Sequence, residues 1–212
     1  MPAYIKLCMD TWALPYTLLN YNNINEYTDL RIDERLTRFS LPQIADCVRV
    51  HVLRDQGGYW LDADTIMLTG KLPGANMIGN GRSTTIGYLR TKPHSDMFMK
   101  WAEHQDTVID DPNASHHWAV MGNAFVDGYV KEHPEITVAP VRACWPETYM
   151  ITDDASRYDK YQRFYFEENY KLSDLEPTDM LMLHNSWTPQ WYKDLTDVLS
   201  YECTLSNILS KK

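Results

Sequence analysis

The apolar residues near the start of the chain recur at a helical spacing. After Pro2, which suits the first turn of a helix, the apolar side chains at positions 5, 8, 9 and 12 fall on one face. This pattern predicts an opening amphipathic helix. The apolar stretch at residues 17–21 predicts a short strand after it.

The clearest helix boundary lies at Ser40. Ser40 and Gln43 have the spacing of a capping box, in which each side chain satisfies a backbone amide that the first turn leaves without a partner. The spacing predicts a helix over Leu41–Gln56. This helix should end at the pair Gly57-Gly58, because glycine readily adopts the left-handed conformation that terminates helices.

Short apolar stretches then alternate with helical ones. Tyr59-Trp60-Leu61 predicts a strand that breaks at Asp62-Ala63-Asp64, with extended chain over residues 65–68. Further strands are predicted at residues 84–89, 136–139 and 180–183, and a helix at residues 94–108. The order predicts an α/β fold with a mostly parallel central sheet flanked by helices, in which ligands bind beyond the carboxyl ends of strands.

Composition narrows the range of functions. With 212 residues and 44% hydrophobic content, the chain is expected to form a single domain over residues 1–212. A formal net charge of −9 argues against a nucleic-acid partner, whose phosphates an acidic surface repels. If the substrate is an anionic nucleotide, a divalent cation is the simplest group to lie between it and the carboxylates. No apolar run approaches the roughly 20 residues that a transmembrane helix needs.

Asp62 and Asp64 are the first candidates for chemistry. Two carboxylates one residue apart at a strand end supply hard oxygen ligands for Mg²⁺ or Mn²⁺ and leave coordination positions for phosphate oxygens and water. In a sugar transfer such an ion stabilises the departing diphosphate. Acidic pairs also occur in solvated turns, so the argument depends on the hydrophobic strand and the glycine pair before Asp62.

Asp46 and Arg49 form a second candidate pair. Three residues apart on the predicted helix, they share a face and can present a carboxylate and a guanidinium to one ligand. The alternative is a local ion pair on a solvated face, which contributes about 0.2–0.5 kcal/mol. Their position shortly before Asp62 favours a donor-sugar site.

The order of these motifs resembles a known family. Ala45-Asp46-x-x-Arg49, followed by Gly57-Gly58-Tyr59-Trp60-Leu61-Asp62-Ala63-Asp64, is similar to the DXD sugar-transferase family that includes bacterial capsular polysaccharide synthesis proteins. The clostridial glucosylating toxins share a similar core. The resemblance implies a GT-A-like fold, Mn²⁺ or Mg²⁺, a UDP- or GDP-hexose donor and retention of anomeric configuration. It implies that Asp46 and Arg49 are catalytic residues that bind the donor sugar, and that Asp62 and Asp64 bind the metal and the nucleotide.

The same resemblance assigns roles near the end of the chain. Similar transferases end with a His or Asn/Ser and Trp segment that closes over the diphosphate, which makes His184 a candidate metal ligand. Asn185 and Ser186 would donate to phosphate oxygens, and Trp187 and Trp191 would cover the nucleotide diphosphate. A lone histidine at a strand end is usually structural, and tryptophans in a hydrophobic core are the equal alternative here.

The resemblance also implies where the protein acts. It indicates a hexosyltransferase of capsular or exopolysaccharide biosynthesis with a saccharide or lipid-linked acceptor, in the cytoplasm or at the surface of its membrane. Family members usually begin with an additional strand before the helix after Pro2, so the first strand of the sheet is expected to be missing. Arg82 is a further candidate substrate contact, and His116-His117 beside Trp118 a candidate acceptor contact, although adjacent side chains point in different directions.

Two alternatives remain open from the sequence. A chain without the first strand is also compatible with a core that binds a nucleotide sugar without turnover. Asp62-Ala63-Asp64-Thr65 also fits the nucleophile motif of haloacid dehalogenase-like phosphatases, with Asp62 phosphorylated and Asp64 as acid/base. The later Gly-Asp and Asp motif of that superfamily is absent from the sequence.

Overall fold

The computed structural model of the protein describes residues 1–79, 84–140, 156–175 and 177–211, so Arg82 lies outside it. Its helices include α1 (Ala3–Asp10), α2 (Glu34–Thr37), α3 (Leu41–Gln56), α4 (Asp96–Asp110) and α5 (Asn123–Glu132), with later helices at Arg157–Gln162, Gln190–Lys193 and Thr204–Leu209. The strands are β1 (Gly58–Leu61), β2 (Thr65–Met67), β3 (Met77–Gly79), β4 (Thr84–Thr91), β5 (Val138–Pro140) and β6 (Met180–Met182). Within the described ranges, no helix combines the length and the apolar character that crossing a bilayer requires.

The chain forms two compact units. Unit 1 comprises Met1–Pro15, Asp62–Pro73 and Val141–Lys212, and unit 2 comprises Tyr16–Leu61 and Gly74–Pro140. One of the four boundaries between them along the chain falls directly before Asp62. The expectation of a single domain over residues 1–212 stays a prediction.

Unit 2 is built on a four-stranded mixed sheet with the strand order β1-β4-β3-β5. Strand β4 pairs antiparallel with β1, placing Trp60 opposite Leu89, and antiparallel with β3, while β3 and β5 are parallel. Helices α3, α4 and α5 pack in the same unit, and apolar side chains from α3, α4 and the sheet share one core that includes Val50, Leu89 and Trp101.

Helix α3 forms where local sequence signals place both of its ends. The capping box between Ser40 and Gln43 is present at its start, as predicted. Its end is Gly57, which has a φ of 63°. A Cβ at this glycine would lie 2.5 Å from Pro93 Cδ, so any side chain there would meet both backbone strain and a clash.

Unit 1 contains α1 and the antiparallel pair β2–β6 around an aromatic core. Strand β2 is fully buried, as is β6, and Ile66 packs with Tyr4 of α1 and with Tyr161, Tyr165 and Tyr192 from the later helical segments. The β2–β6 pairing matters for the site because β2 and β6 are antiparallel. The residues before β2 therefore lie beside the residues after β6.

Two expectations from the sequence are wrong. The sheet is not mostly parallel, since among the described strand pairs β3–β5 alone is parallel. Four residues separate β3 from β4, too few for the crossover of a dozen or more residues that parallel neighbours require. Residues 17–21 form no strand either, because an apolar stretch becomes a strand only where another strand pairs with it. The α/β class is confirmed, and the GT-A-like assignment stays a prediction.

Candidate functional site

The predicted site residues are divided between the two units. Asp46 and Arg49 lie on α3 in unit 2, which also contains the candidate acceptor contacts His116 and His117. The candidate metal and diphosphate residues lie in unit 1, and they are Asp62, Asp64, His184, Asn185, Ser186, Trp187 and Trp191.

The Asp46–Arg49 pair of unit 2 is buried. Arg49 Nη2 lies 3.3 Å from Asp46 Oδ1, and the two side chains are only 7% and 13% exposed. The solvated-face alternative is therefore wrong for this pair. Because burying two charges costs several kcal/mol per ion, a buried pair is weak evidence for stability and leaves a functional role open.

Arg49 is held by the sheet as well as by Asp46. Its Nη1 donates a hydrogen bond to the carbonyl oxygen of Ile86 in β4, and its guanidinium lies 5.4 Å from the ring centroid of Trp60 in β1. These contacts fix the plane of the guanidinium. A planar group with several fixed donors suits the recognition of hydroxyl or phosphate oxygens.

Gly122 is a site residue that the sequence analysis missed. A Cβ at this position would lie 2.8 Å from Asp46 Oδ2 and 2.6 Å from Ile86 Cδ1. The Asp46 carboxylate thus occupies space that only a glycine leaves open. Nothing in the sequence near Gly122 signals this role, since the contact joins segments 76 positions apart, from 46 to 122.

In unit 1, Asp62, Ala63 and Asp64 form the turn that leads into β2. The amide of Thr65 donates to the carbonyl oxygen of Asp62 at 3.0 Å, and Asp62 and Asp64 are both half-buried. Thr65, the first residue of β2, pairs with Met182 of β6. The turn is therefore attached to a strand whose position is set by a buried ladder.

That ladder aligns Asp64 with the segment after β6. The amide of Leu183 donates to the Asp64 carbonyl oxygen at 3.2 Å, and the amide of Asn185 donates to Asp64 Oδ2 at 2.9 Å. The hydroxyl of Tyr4 in α1 donates to Asn185 Oδ1. The structure thus brings together Asp64 and Asn185, which are 121 positions apart in the chain.

His184 lies between two aromatic rings. Its ring centroid is 4.2 Å from that of Trp187 and 5.7 Å from that of Tyr161, and its backbone amide donates to the Tyr161 hydroxyl at 3.2 Å. Burial, reinforced by the positive charge of Arg157, lowers the pKa of His184 to about 4 against an opposing effect of Asp62. The imidazole is therefore neutral at pH 7, which is the form that coordinates metals.

The remaining predicted residues of unit 1 occupy two different surroundings. Ser186 is exposed in the turn after β6, and Trp187 closes that turn by donating its amide to the His184 carbonyl oxygen at 2.8 Å. Trp191 instead belongs to an aromatic cluster with Phe166 and Tyr201, with ring centroids 6.1 and 4.8 Å away. Trp187 and His184 are therefore in contact, whereas the ring contacts of Trp191 are with this other cluster.

The donor atoms of the Asp62 turn fit a divalent cation in kind. Carboxylate oxygens are the ligands that Mg²⁺ and Mn²⁺ prefer, and a neutral imidazole is an accepted further ligand. Among the described residues, no three or more His, Cys, Asp or Glu side chains already stand in an arrangement that could hold a metal. An ion here would therefore depend on substrate oxygens and water for much of its coordination.

The fold and these two groups define an α/β protein with a carboxylate pair in the turn before β2 and an acid–guanidinium pair on α3 that contacts β4. The chain belongs to the capsular polysaccharide synthesis protein family, whose family model matches residues 1–138. The matched stretch includes Asp46, Arg49, Asp62 and Asp64 and ends before His184. No match was found among curated proteins, and none was found among solved structures. The family indicates a role in capsular polysaccharide synthesis.

Proposed function

We propose that the protein is a metal-dependent glycosyltransferase. It transfers a hexose from UDP- or GDP-hexose to a saccharide or lipid-linked acceptor and retains the anomeric configuration. The observation that carries the proposal is the β2–β6 ladder, which sets the Asp62–Asp64 turn beside the polar turn that follows β6. Membership of the capsular polysaccharide synthesis family supports transfer over the phosphatase alternative.

Asp62 and Asp64 are the residues that would hold Mn²⁺ or Mg²⁺, with His184 as a further ligand. The bound ion supplies positive charge where the departing diphosphate becomes more negative. The backbone amide of Leu183 holds the Asp64 carbonyl group and that of Asn185 holds the Asp64 carboxylate, so little rearrangement is needed when a donor binds. Preorganisation of this kind is what gives an electrostatic site its effect.

Asn185 and Ser186 are assigned to the diphosphate oxygens. Because the Tyr4 hydroxyl donates to Asn185 Oδ1, the Nδ2 amide group is the end that donates to a phosphate oxygen. Ser186 is exposed in the same turn and carries a hydroxyl donor. The neighbouring ring of Trp187 packs on His184 in the same turn.

Asp46 and Arg49 are assigned to the donor sugar. A carboxylate accepts hydrogen bonds from sugar hydroxyls, and a guanidinium donates them to hydroxyl oxygens. The pair can therefore bond a hexose both as acceptor and as donor.

In a retaining transfer the departing phosphate takes the proton of the acceptor hydroxyl on the same face. The chain then needs no general base of its own for that step.

The first test is metal-dependent binding measured by calorimetry against UDP- and GDP-hexoses. Wild-type protein with Mn²⁺ should bind one donor, and Asp62→Asn plus Asp64→Asn should reduce binding at least tenfold, because the charge that holds the ion is gone. The matched control is Asp10→Asn plus Asp197→Asn, which removes the same formal charge from exposed positions of unit 1 and should bind like wild type.

Two outcomes would count against the proposal. Donor binding that is independent of Mn²⁺ and Mg²⁺ would contradict the metal dependence. Folded wild-type protein that binds no donor at all would contradict the transferase function. Binding without transfer or hydrolysis would instead favour a non-catalytic nucleotide-sugar-binding core. For an active enzyme, NMR of the product should show the anomeric configuration of the donor, and an inverted product contradicts retention.

A further inference from the structure

An exposed tryptophan in unit 2 stands on a segment that is unusually well anchored. Residues 116–122 are the second part of the connection from α4 to α5 and consist largely of turns. Gln43 of α3 donates to the carbonyl oxygens of His116 and His117, at 3.5 and 3.1 Å. The Phe39 ring also stacks on the His116 ring, with centroids 4.9 Å apart. The first half of the segment is therefore fixed to the start of α3.

Helix α4 fixes the second half of the segment. The indole Nε1 of Trp101 donates to the Met121 carbonyl oxygen at 3.0 Å, and a ring nitrogen of His104 lies 3.0 Å from the Val120 carbonyl oxygen. Gln105, fully buried, donates from one Nε2 to the carbonyl oxygens of both Met121 and Asp46. One side chain thus ties this segment to the backbone of the candidate donor-sugar residue.

Trp118 lies between these two anchors and is 69% exposed. Hydrogen bonds from two helices hold the backbone on either side of this exposed side chain. The imidazole of His117 lies beside it, with ring centroids 5.8 Å apart. A rigid backbone that presents an aromatic face with polar neighbours has the features of a preformed binding surface.

The segment also leads directly to Asp46. Four residues after Trp118, Gly122 contacts the Asp46 carboxylate so closely that a Cβ would lie 2.8 Å from Oδ2. Four residues span at most about 14 Å even when fully extended, and the hydrogen bond from Gly122 N–H to the Ala119 carbonyl oxygen makes this stretch shorter. Trp118 is therefore within reach of a ligand bound at Asp46.

We propose that Trp118, with His117 beside it, is a platform for the acceptor saccharide. The inference rests on the proposed function, because it treats Asp46 as a donor-sugar residue. A sugar ring presents a face of C–H groups that packs on an indole, and its hydroxyl groups meet hydrogen-bonding partners such as an imidazole. An acceptor stacked on Trp118 lies beside the donor sugar that Asp46 binds.

Saturation-transfer NMR with trisaccharides of glucose, galactose and mannose tests the platform without any donor. Trp118→Ala should weaken binding of the best trisaccharide by about tenfold, and Trp118→Phe, which keeps an aromatic face, by much less. Tyr21→Ala is the matched control, since Tyr21 is an aromatic residue of unit 2 that is 65% exposed; it should bind like wild type. Equal binding by Trp118→Ala, or no binding of any trisaccharide by wild type at millimolar concentration, would overturn the proposal.

A second assay separates this proposal from the proposed function. Release of nucleotide diphosphate is measured with and without the trisaccharide. In Trp118→Ala the release without acceptor should be unchanged, and the KM for the trisaccharide should rise about tenfold. Wild-type protein that binds the trisaccharide but hydrolyses and transfers no donor would contradict the transferase while leaving the saccharide platform intact.

Discussion

Asp46 in unit 2 and Asp64 in unit 1 are both candidate donor contacts, but different forces hold them in place. The Asp46 side chain is 13% exposed and lies against the buried Arg49, and its neighbours are side chains and a glycine. Asp64 is half-buried in a turn, and the backbone amides of the β6 segment hold it. A change at Asp46 should therefore alter stability and binding together, whereas a change at Asp64 should alter binding with little effect on stability.

The largest effect is expected for Asp46→Ala. The variant leaves the buried guanidinium of Arg49 without the Asp46 carboxylate, and breaking a buried ion pair in this way costs about 3–5 kcal/mol. Urea denaturation should show this loss as a lower midpoint with an unchanged slope. Asp46→Leu plus Arg49→Met removes both charges and should recover much of the stability, although it should not bind a donor. An unchanged midpoint for Asp46→Ala would mean that the pair contributes nothing to the fold.

Gly122→Ala tests the packing on the other side of the Asp46 carboxylate. The added methyl group would overlap Ile86 Cδ1 and Asp46 Oδ2, and overpacking of this kind costs about 1–3 kcal/mol. The control is Gly128→Ala in α5, where a Cβ meets nothing within 4 Å and alanine favours the helix. Thermal unfolding should show a lower Tm for Gly122→Ala and a slightly higher one for Gly128→Ala. Equal behaviour of the two variants would show that unit 2 relaxes around Asp46.

A smaller effect is expected from the pH dependence of unit 2. Burial and the positive charge of Arg54 lower the pKa of His51 from 6.5 to about 4, against weaker opposing effects of Asp29 and Asp55. Asp106 of α4 also lies 3.6 Å from the ring. Between these two pKa values the unfolded chain binds more protons than the folded chain, so stability is present above pH 6.5 and is lost as the pH falls toward 4.

The measurement compares wild type with His51→Leu. Wild type should lose about 1 kcal/mol more than the variant between pH 7 and pH 5.5, measured as the free energy of unfolding in urea. The comparison removes the contribution of every other titrating group that the two proteins share. Parallel pH profiles would show that His51 is not buried as a neutral side chain.

The same contrast explains what could be predicted from the sequence. Helix α3 was predicted with both ends correct, because Ser40, Gln43 and Gly57 act locally. The prediction of a mostly parallel sheet was wrong, because the relative direction of neighbouring strands depends on which strands lie beside β4. Asp46 with Arg49, and Asp62 with Asp64, were found as candidates because their spacing is short. Gly122 was missed because its role exists only where it meets Asp46.

The smallest effect on stability is expected for Asp62→Asn, and it is the most specific test of the comparison. Asp62 is half-buried at a turn whose hydrogen bond to Thr65 uses the backbone carbonyl, which asparagine retains. The free energy of unfolding should therefore stay within about 0.5 kcal/mol of wild type, as for most surface substitutions.

If Asp62 binds a cation, added Mn²⁺ should raise the Tm of wild type and leave that of Asp62→Asn nearly unchanged, because only the folded form with both carboxylates binds the ion. An equal rise in Tm for both proteins would place the ion elsewhere. A loss of stability as large as that of Asp46→Ala would mean that both carboxylates are structural.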